Sequence, residues 1–97
     1  MLAPHERVQA IRDRLEAALS PLSLGVDDDS QRHAGHAGAR DGRGHFSVTV
    51  VSAAFEGKPP LARHRMVYAA LGELMATDIH ALAIQARTPA EAGIPSG

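Results

Sequence analysis

The chain has 97 residues, a formal net charge of −1, 44% hydrophobic and 22% charged residues, and no cysteine. That length fits one domain with a single modest core and is too short for two. The absence of thiols excludes disulfides and thiolate metal sites, leaving the six histidines as the chief donors for a transition metal, and the nearly balanced charge means that nucleic-acid binding would need a local basic patch. From Pro4 to Leu19, Val8, Ile11, Leu15, Ala18 and Leu19 recur at helical spacing with charged residues between them, which predicts an amphipathic first helix. Pro4 and Glu6 suit its first turn, and Ser20-Pro21 ends it. Leu22 to Val26 predicts a short first strand before the acidic run Asp27-Asp28-Asp29. Gln31 to Gly44, QRHAGHAGARDGRG, has no apolar period and reads as a long loop, of the kind that is usually functional. Its Gly35-His36-Ala37-Gly38 spells GxxG, but between two strands rather than two helices, so it is not read as a nucleic-acid clamp.

The stretch from Gly44 to Leu71 organises the rest. Phe46, Val48 and Val50 alternate with His45, Ser47 and Thr49, the pattern of a half-buried strand. Gly57 and Pro59-Pro60 stop it, because proline offers no N–H to a ladder. Leu61, Met66, Val67, Ala70, Leu71 and Leu74 then predict a second helix, broken at Thr77-Asp78. Ile79 to Thr88 is apolar on both faces, which predicts a third strand covered on both sides. The order is α-β-β-α-β: an α+β sandwich, one domain over 1–97, with helices on one face of a three-stranded mixed sheet. The predicted core is Val8, Ile11, Leu15, Phe46, Val48, Val50, Val67, Leu71 and Leu74. Residues 1–3 and about 90–97 are expected to be flexible ends. No apolar run approaches the ~20 residues of a membrane span, and the first residues lack a secretory apolar region, so a cytoplasmic, non-membrane protein is expected.

Among residues that carry chemistry, His33 and His36 lie in the loop and His80 opens the third strand, but no fixed local spacing joins them into a metal motif. His45 reads as structural and His5 as solvated. Arg63-His64-Arg65 with Lys58 forms a basic cluster at the second helix, either a solvated edge or a surface for phosphates or an acidic partner. No serine sits in a nucleophile elbow, and the acidic run does not follow a calcium-loop pattern, so no catalytic site is expected.

Four blocks, Asp29-Ser30-Gln31-Arg32-His33, HFSVTVVSAAFEGK, Arg63-His64-Arg65-Met66-Val67-Tyr68 and Ile79-His80-Ala81-Leu82, resemble the BolA family in order and over almost the whole chain. The resemblance implies the same element order, a topology like the type II KH domain and a short helical turn near Lys58–Leu61. It also implies a non-enzymatic protein, monomeric alone, that forms a heterodimer with a monothiol glutaredoxin and shares a 2Fe-2S cluster with it. His80 matches the invariant histidine ligand of that family. His33 matches the loop ligand, with His36 as its competitor. Glutaredoxin and glutathione would bring the thiolates, so no cofactor is expected in the isolated chain, and mixed His and thiolate ligation of such clusters is chemically precedented. The alternative that the family carries is a DNA-binding transcriptional regulator using Lys58, Arg63, His64 and Arg65. The chain departs from many members in having Ala90-Glu91-Ala92, without a tryptophan, after Thr88-Pro89.

Overall fold

The alternating strand at the centre of the sequence is also the centre of the sheet. In the computed structural model, which describes residues 1–30 and 42–94, β2 (Gly44–Val51) pairs antiparallel with β1 (Ser23–Asp28) and parallel with β3 (Ile79–Arg87). Most of the predicted loop, with its GxxG and the histidines His33 and His36, lies outside the described residues, as do residues 95–97.

A parallel pair cannot be closed by a tight turn, so the chain crosses over between β2 and β3. The crossover runs through a 3₁₀ turn (Ala53–Phe55), helix α2 (Pro60–Leu71) and the short helix α3 (Leu74–Thr77). With α1 (Arg7–Leu19), it covers the face of the sheet to which Phe46, Val48 and Val50 point. Ile11, Leu15 and Leu19 from α1, Val67 and Leu71 from α2, then Phe55, Leu74 and Ile79 complete the core with those three. Every residue predicted for the core is buried except Val8, which is half-buried at its margin. The α+β architecture with a three-stranded mixed sheet is therefore found as expected.

Four local expectations change. The helical turn placed near Lys58–Leu61 occurs earlier, at Ala53–Phe55, where the Ser52 hydroxyl caps it by accepting from Ala54 N at 3.1 Å and donates to the Leu19 carbonyl at 2.6 Å. β1 continues into Asp27 and Asp28 instead of ending before them, because they pair with Ser47 and Phe46 in the ladder. The second helix stops at Gly72, whose φ of 53° and ψ of −125° suit glycine and strain other residues, and α3 restarts after it. Finally, β3 is an edge strand with an exposed outer face, since β2 takes the central place. Its outward residues Ala81 and Ala83 look apolar in sequence but are small enough to sit on an open face.

A second glycine is required for space. A Cβ on Gly44 would come within 2.6 Å of the Phe46 ring and 2.9 Å of Ser30 Oγ. Gly44→Ala should therefore destabilise the fold by about 1–3 kcal/mol, as overpacking against a core ring does. Chemical denaturation checks this; an unchanged midpoint would show that the Phe46 ring moves aside freely.

Candidate metal centre

The start of β3 is irregular. Gly44 pairs with Ile79 but His45 pairs with Ala81, so His80 is an extra residue on β3. Simple alternation would send His80 to the same side as Leu82 and Ile84, which pack on the core. The bulge changes that: Ile79 is buried in the core, while His80 is exposed. Bulges of this kind re-aim a side chain at the rim of a sheet.

Turned outward, His80 meets His45 and Arg43 among the described residues. Its ring centroid lies 5.1 Å from that of His45, with the planes tilted by 51°. His45 is buried on the outer side of β2, next to the exposed strand end rather than within the helix-covered core. Arg43 Nη2 lies 3.3 Å from His80 Nδ1.

The same place anchors both ends of the glycine-rich loop. On the entering side, Ser30 Oγ accepts from His45 N at 3.1 Å, Asp29 N donates to His45 O at 2.7 Å, and the Ser47 hydroxyl donates to the Asp29 carboxylate. On the leaving side, Arg7 Nη2 donates to Gly42 O at 2.8 Å and Gly44 N donates to Asp78 O at 2.9 Å. Ser30 and Gly42, the described residues on either side of 31–41, are thus both fixed close to the start of β3.

A buried ion pair ties these pieces together. Arg7 Nε contacts Asp78 Oδ1 at 3.1 Å with both side chains buried. The same carboxylate accepts from Leu2 N at 2.8 Å and from the Thr77 hydroxyl at 2.6 Å. Burial by itself would raise the Asp78 pKa, but the Thr77 hydroxyl, the Leu2 N–H and Arg7 outweigh it and hold the carboxyl below its ordinary value. One carboxylate thereby links the amino-terminal residues, α1 and, through Arg7, the returning end of the loop to the residue two before His80.

The donor set has a clear chemical limit. Among the described residues no group of three or more His, Cys, Asp or Glu side chains is placed to hold a metal ion. An exposed imidazole on a fixed strand start fits a single ligand of a centre whose other donors come from elsewhere, and with no cysteine any thiolate must be a partner's.

The BolA-like protein family model matches residues 15–91. The chain belongs to the BolA family. It is 54% identical over 84 residues to BolA-like protein 1 of Pongo abelii, covering 87% of this chain and 59% of that protein. It is 42% identical over 80 residues to the DNA-binding transcriptional regulator BolA of Escherichia coli (strain K12), covering 82% of this chain and 73% of that protein. The solved BolA domain of SufE1 from Arabidopsis thaliana superposes with a TM-score of 0.78 at 42% identity, covering 94% of this chain and 99% of that domain. The chain spans just 26% of the full-length SufE-like protein 1 from that plant. The Pongo abelii and Escherichia coli relatives are named as a BolA-like protein and as a regulator. No helix among the described residues of this BolA-like chain is long and apolar enough to cross a membrane.

The basic cluster of this family member is divided by its own contacts. Arg63 donates to Lys58 O at 2.7 Å and to Ala86 O at 3.1 Å, and grips Glu91 through Nη1 at 2.6 Å and Nη2 at 3.2 Å. That guanidinium is spent inside the chain. Lys58 and Arg65 are exposed, and His64 is half-buried. Glu91 also closes a reciprocal cap with Thr88: Thr88 N donates to Glu91 Oε1 at 2.8 Å and Glu91 N to Thr88 Oγ1 at 3.2 Å. The Arg63 hydrogen bond, then the Thr88 N–H, hold the Glu91 carboxyl down to about 2. Thr88 to Ile94 accordingly forms a hydrogen-bonded turn, although the family's tryptophan is missing. At the other end, the expected flexibility of residues 1–3 meets the bond from Leu2 N to Asp78.

Sequence reasoning singled out His80 but missed its neighbours. His45 was assigned a structural role, and nothing in its spacing announced a ring contact with His80. The Thr88-x-x-Glu91 pattern was a readable capping signal. Arg7, Arg43 and Asp78 gave none, because their partners are distant in the chain.

Proposed function

We propose that this chain is a non-enzymatic BolA-like partner of a monothiol glutaredoxin, acting in the cytoplasm in iron–sulfur cluster handling or iron sensing. In that role it contributes His80 to a 2Fe-2S cluster shared with the glutaredoxin and its glutathione. The cluster, when bound, supplies the electron-transfer and iron-sensing chemistry. The chain's own part is to present an exposed imidazole on a rigid strand start and to bring a second imidazole from the loop that follows Ser30. His33, three residues beyond Ser30 in sequence, is the proposed second ligand, with His36 as its alternative.

The observation that carries this reading is the bulge that turns His80 out of the core. A regular strand would point the imidazole into the core, where it would need buried partners; the bulge instead leaves it accessible to a centre brought by a partner, which supports the reading. Mixing the protein with a cluster-loaded monothiol glutaredoxin tests the proposal. A heterodimer with a visible circular dichroism spectrum distinct from that of the glutaredoxin alone is expected, and an unchanged spectrum with no heterodimer would sink it.

A second reading, DNA binding, draws on the name of the Escherichia coli relative and on the exposed Lys58 and Arg65. Arg63 holds Glu91 in the free chain, so on this reading it would exchange that carboxylate for a phosphate. On this reading, Lys58→Ala with Arg65→Ala should weaken binding to every duplex alike and flatten the salt dependence by about 0.9 per lost phosphate contact. Unchanged binding by the double variant would remove this surface from consideration.

A further inference from the structure

We infer that Arg43 is a latch on His80, covering the ring nitrogen that would otherwise meet an electrophile. A guanidinium has donors and no acceptor, so at 3.3 Å from Nδ1 it must donate into the lone pair of that nitrogen. Neutral His80 is thereby held as the tautomer with its proton on Nε2. The lone pair at Nδ1 faces Arg43, and Nε2 has none to give. Binding a Lewis acid through Nδ1 requires Arg43 to leave. Binding through Nε2 requires the proton to move to Nδ1, where it would face a cation. Either route loses this hydrogen bond.

The latch is built into the backbone rather than resting on a loose side chain. Arg43 sits between Gly42, whose carbonyl is held by Arg7 at 2.8 Å, and Gly44, whose N–H is held by Asp78 O at 2.9 Å. Its other terminal nitrogen reaches Ala76 O at 3.5 Å, at the end of the crossover. The guanidinium is therefore braced between α3 and His80, while the His45 ring on β2 lies 5.1 Å from the same imidazole. His80 is oriented by its neighbours in the free protein and is not a freely rotating surface histidine.

The inference rests on the cluster reading above for the identity of the Lewis acid, but the latch itself can be tested without a cluster. Arg43→Met keeps the aliphatic stem and removes every donor. Carbethoxylation by diethylpyrocarbonate in mildly alkaline buffer, followed by peptide mass spectrometry, reads the nucleophilicity of His80 separately from the other histidines. The expected rate at His80 rises about two- to tenfold in Arg43→Met, the range that loss of one hydrogen bond of ordinary net strength allows. Nitrogen-15 spectra of the imidazole should show the Nε2–H tautomer with a hydrogen-bonded Nδ1 in the wild type, and the loss of that bond in the variant. In a titration with cluster-loaded glutaredoxin, the variant should form the shared species at a correspondingly lower partner concentration. Equal carbethoxylation rates would overturn the latch, and so would a shared species formed less readily by Arg43→Met. If His80→Ala keeps the shared spectrum, the ligand assignment falls, while the carbethoxylation rates still decide whether Arg43 covers Nδ1.

Discussion

Asp78→Ala should cost about 3–5 kcal/mol of stability, more than the loss of any exposed side chain at the site. The substitution leaves the Arg7 guanidinium buried without its carboxylate, and an uncompensated buried charge is what makes breaking such a pair expensive. It also deprives Leu2 N and the Thr77 hydroxyl of their acceptor. The pH dependence follows from the direction of the pKa shift. The Asp78 carboxyl titrates lower in the folded chain than its ordinary value of about 4. Its stabilising contribution is thus fully present above that ordinary value and is lost as the pH falls through the lower, folded one. Urea denaturation at neutral and acid pH checks both parts: the gap between wild type and Asp78→Ala should be large at neutral pH and should narrow in acid. Replacing Arg7 by Met in the same chain should recover much of the loss, because an apolar pair does not carry the desolvation cost of an ion pair. A neutral-pH gap under 1 kcal/mol would contradict this account of the pair.

The fold was legible where a local pattern had a single structural meaning. Phe46, Val48 and Val50 could satisfy their alternation only by facing a covering layer, and Ile11, Leu15 and Leu19 supply that layer at helical spacing. Gly57 and the proline pair marked the start of the second helix, whereas its stop at Gly72 was not read from the pattern. Strand position within the sheet was not written in the same way. Alternation in β3 reports two apolar faces, but Ala81 and Ala83 do not distinguish a covered face from an open one, and pairing order depends on contacts across the whole chain.

The site was legible as a residue type and not as an arrangement. His80 stood out through the Ile-His-Ala-Leu block, yet its direction depends on one unpaired residue in the ladder, which no period reveals. Arg7 and Asp78 are 71 positions apart, and Arg43 and His80 are 37 apart, so neither contact leaves a local trace. For a related reason a basic cluster in sequence does not disclose which of its members already has a partner, here Arg63 with Glu91.

The central claim is that His80, turned outward by the bulge, supplies a ligand to a cluster shared with a monothiol glutaredoxin. Visible circular dichroism of the His80→Ala chain mixed with cluster-loaded glutaredoxin tests it most directly. The side chain is exposed, so its removal should change stability by no more than about 0.5 kcal/mol, and a normal far-ultraviolet spectrum will confirm that the variant folds. The shared-cluster spectrum should then be absent, whereas His33→Ala should alter it and make the cluster more labile, with His36 as the proposed partial replacement for that ligand. A folded His80→Ala chain that still gives the wild-type spectrum would contradict the account.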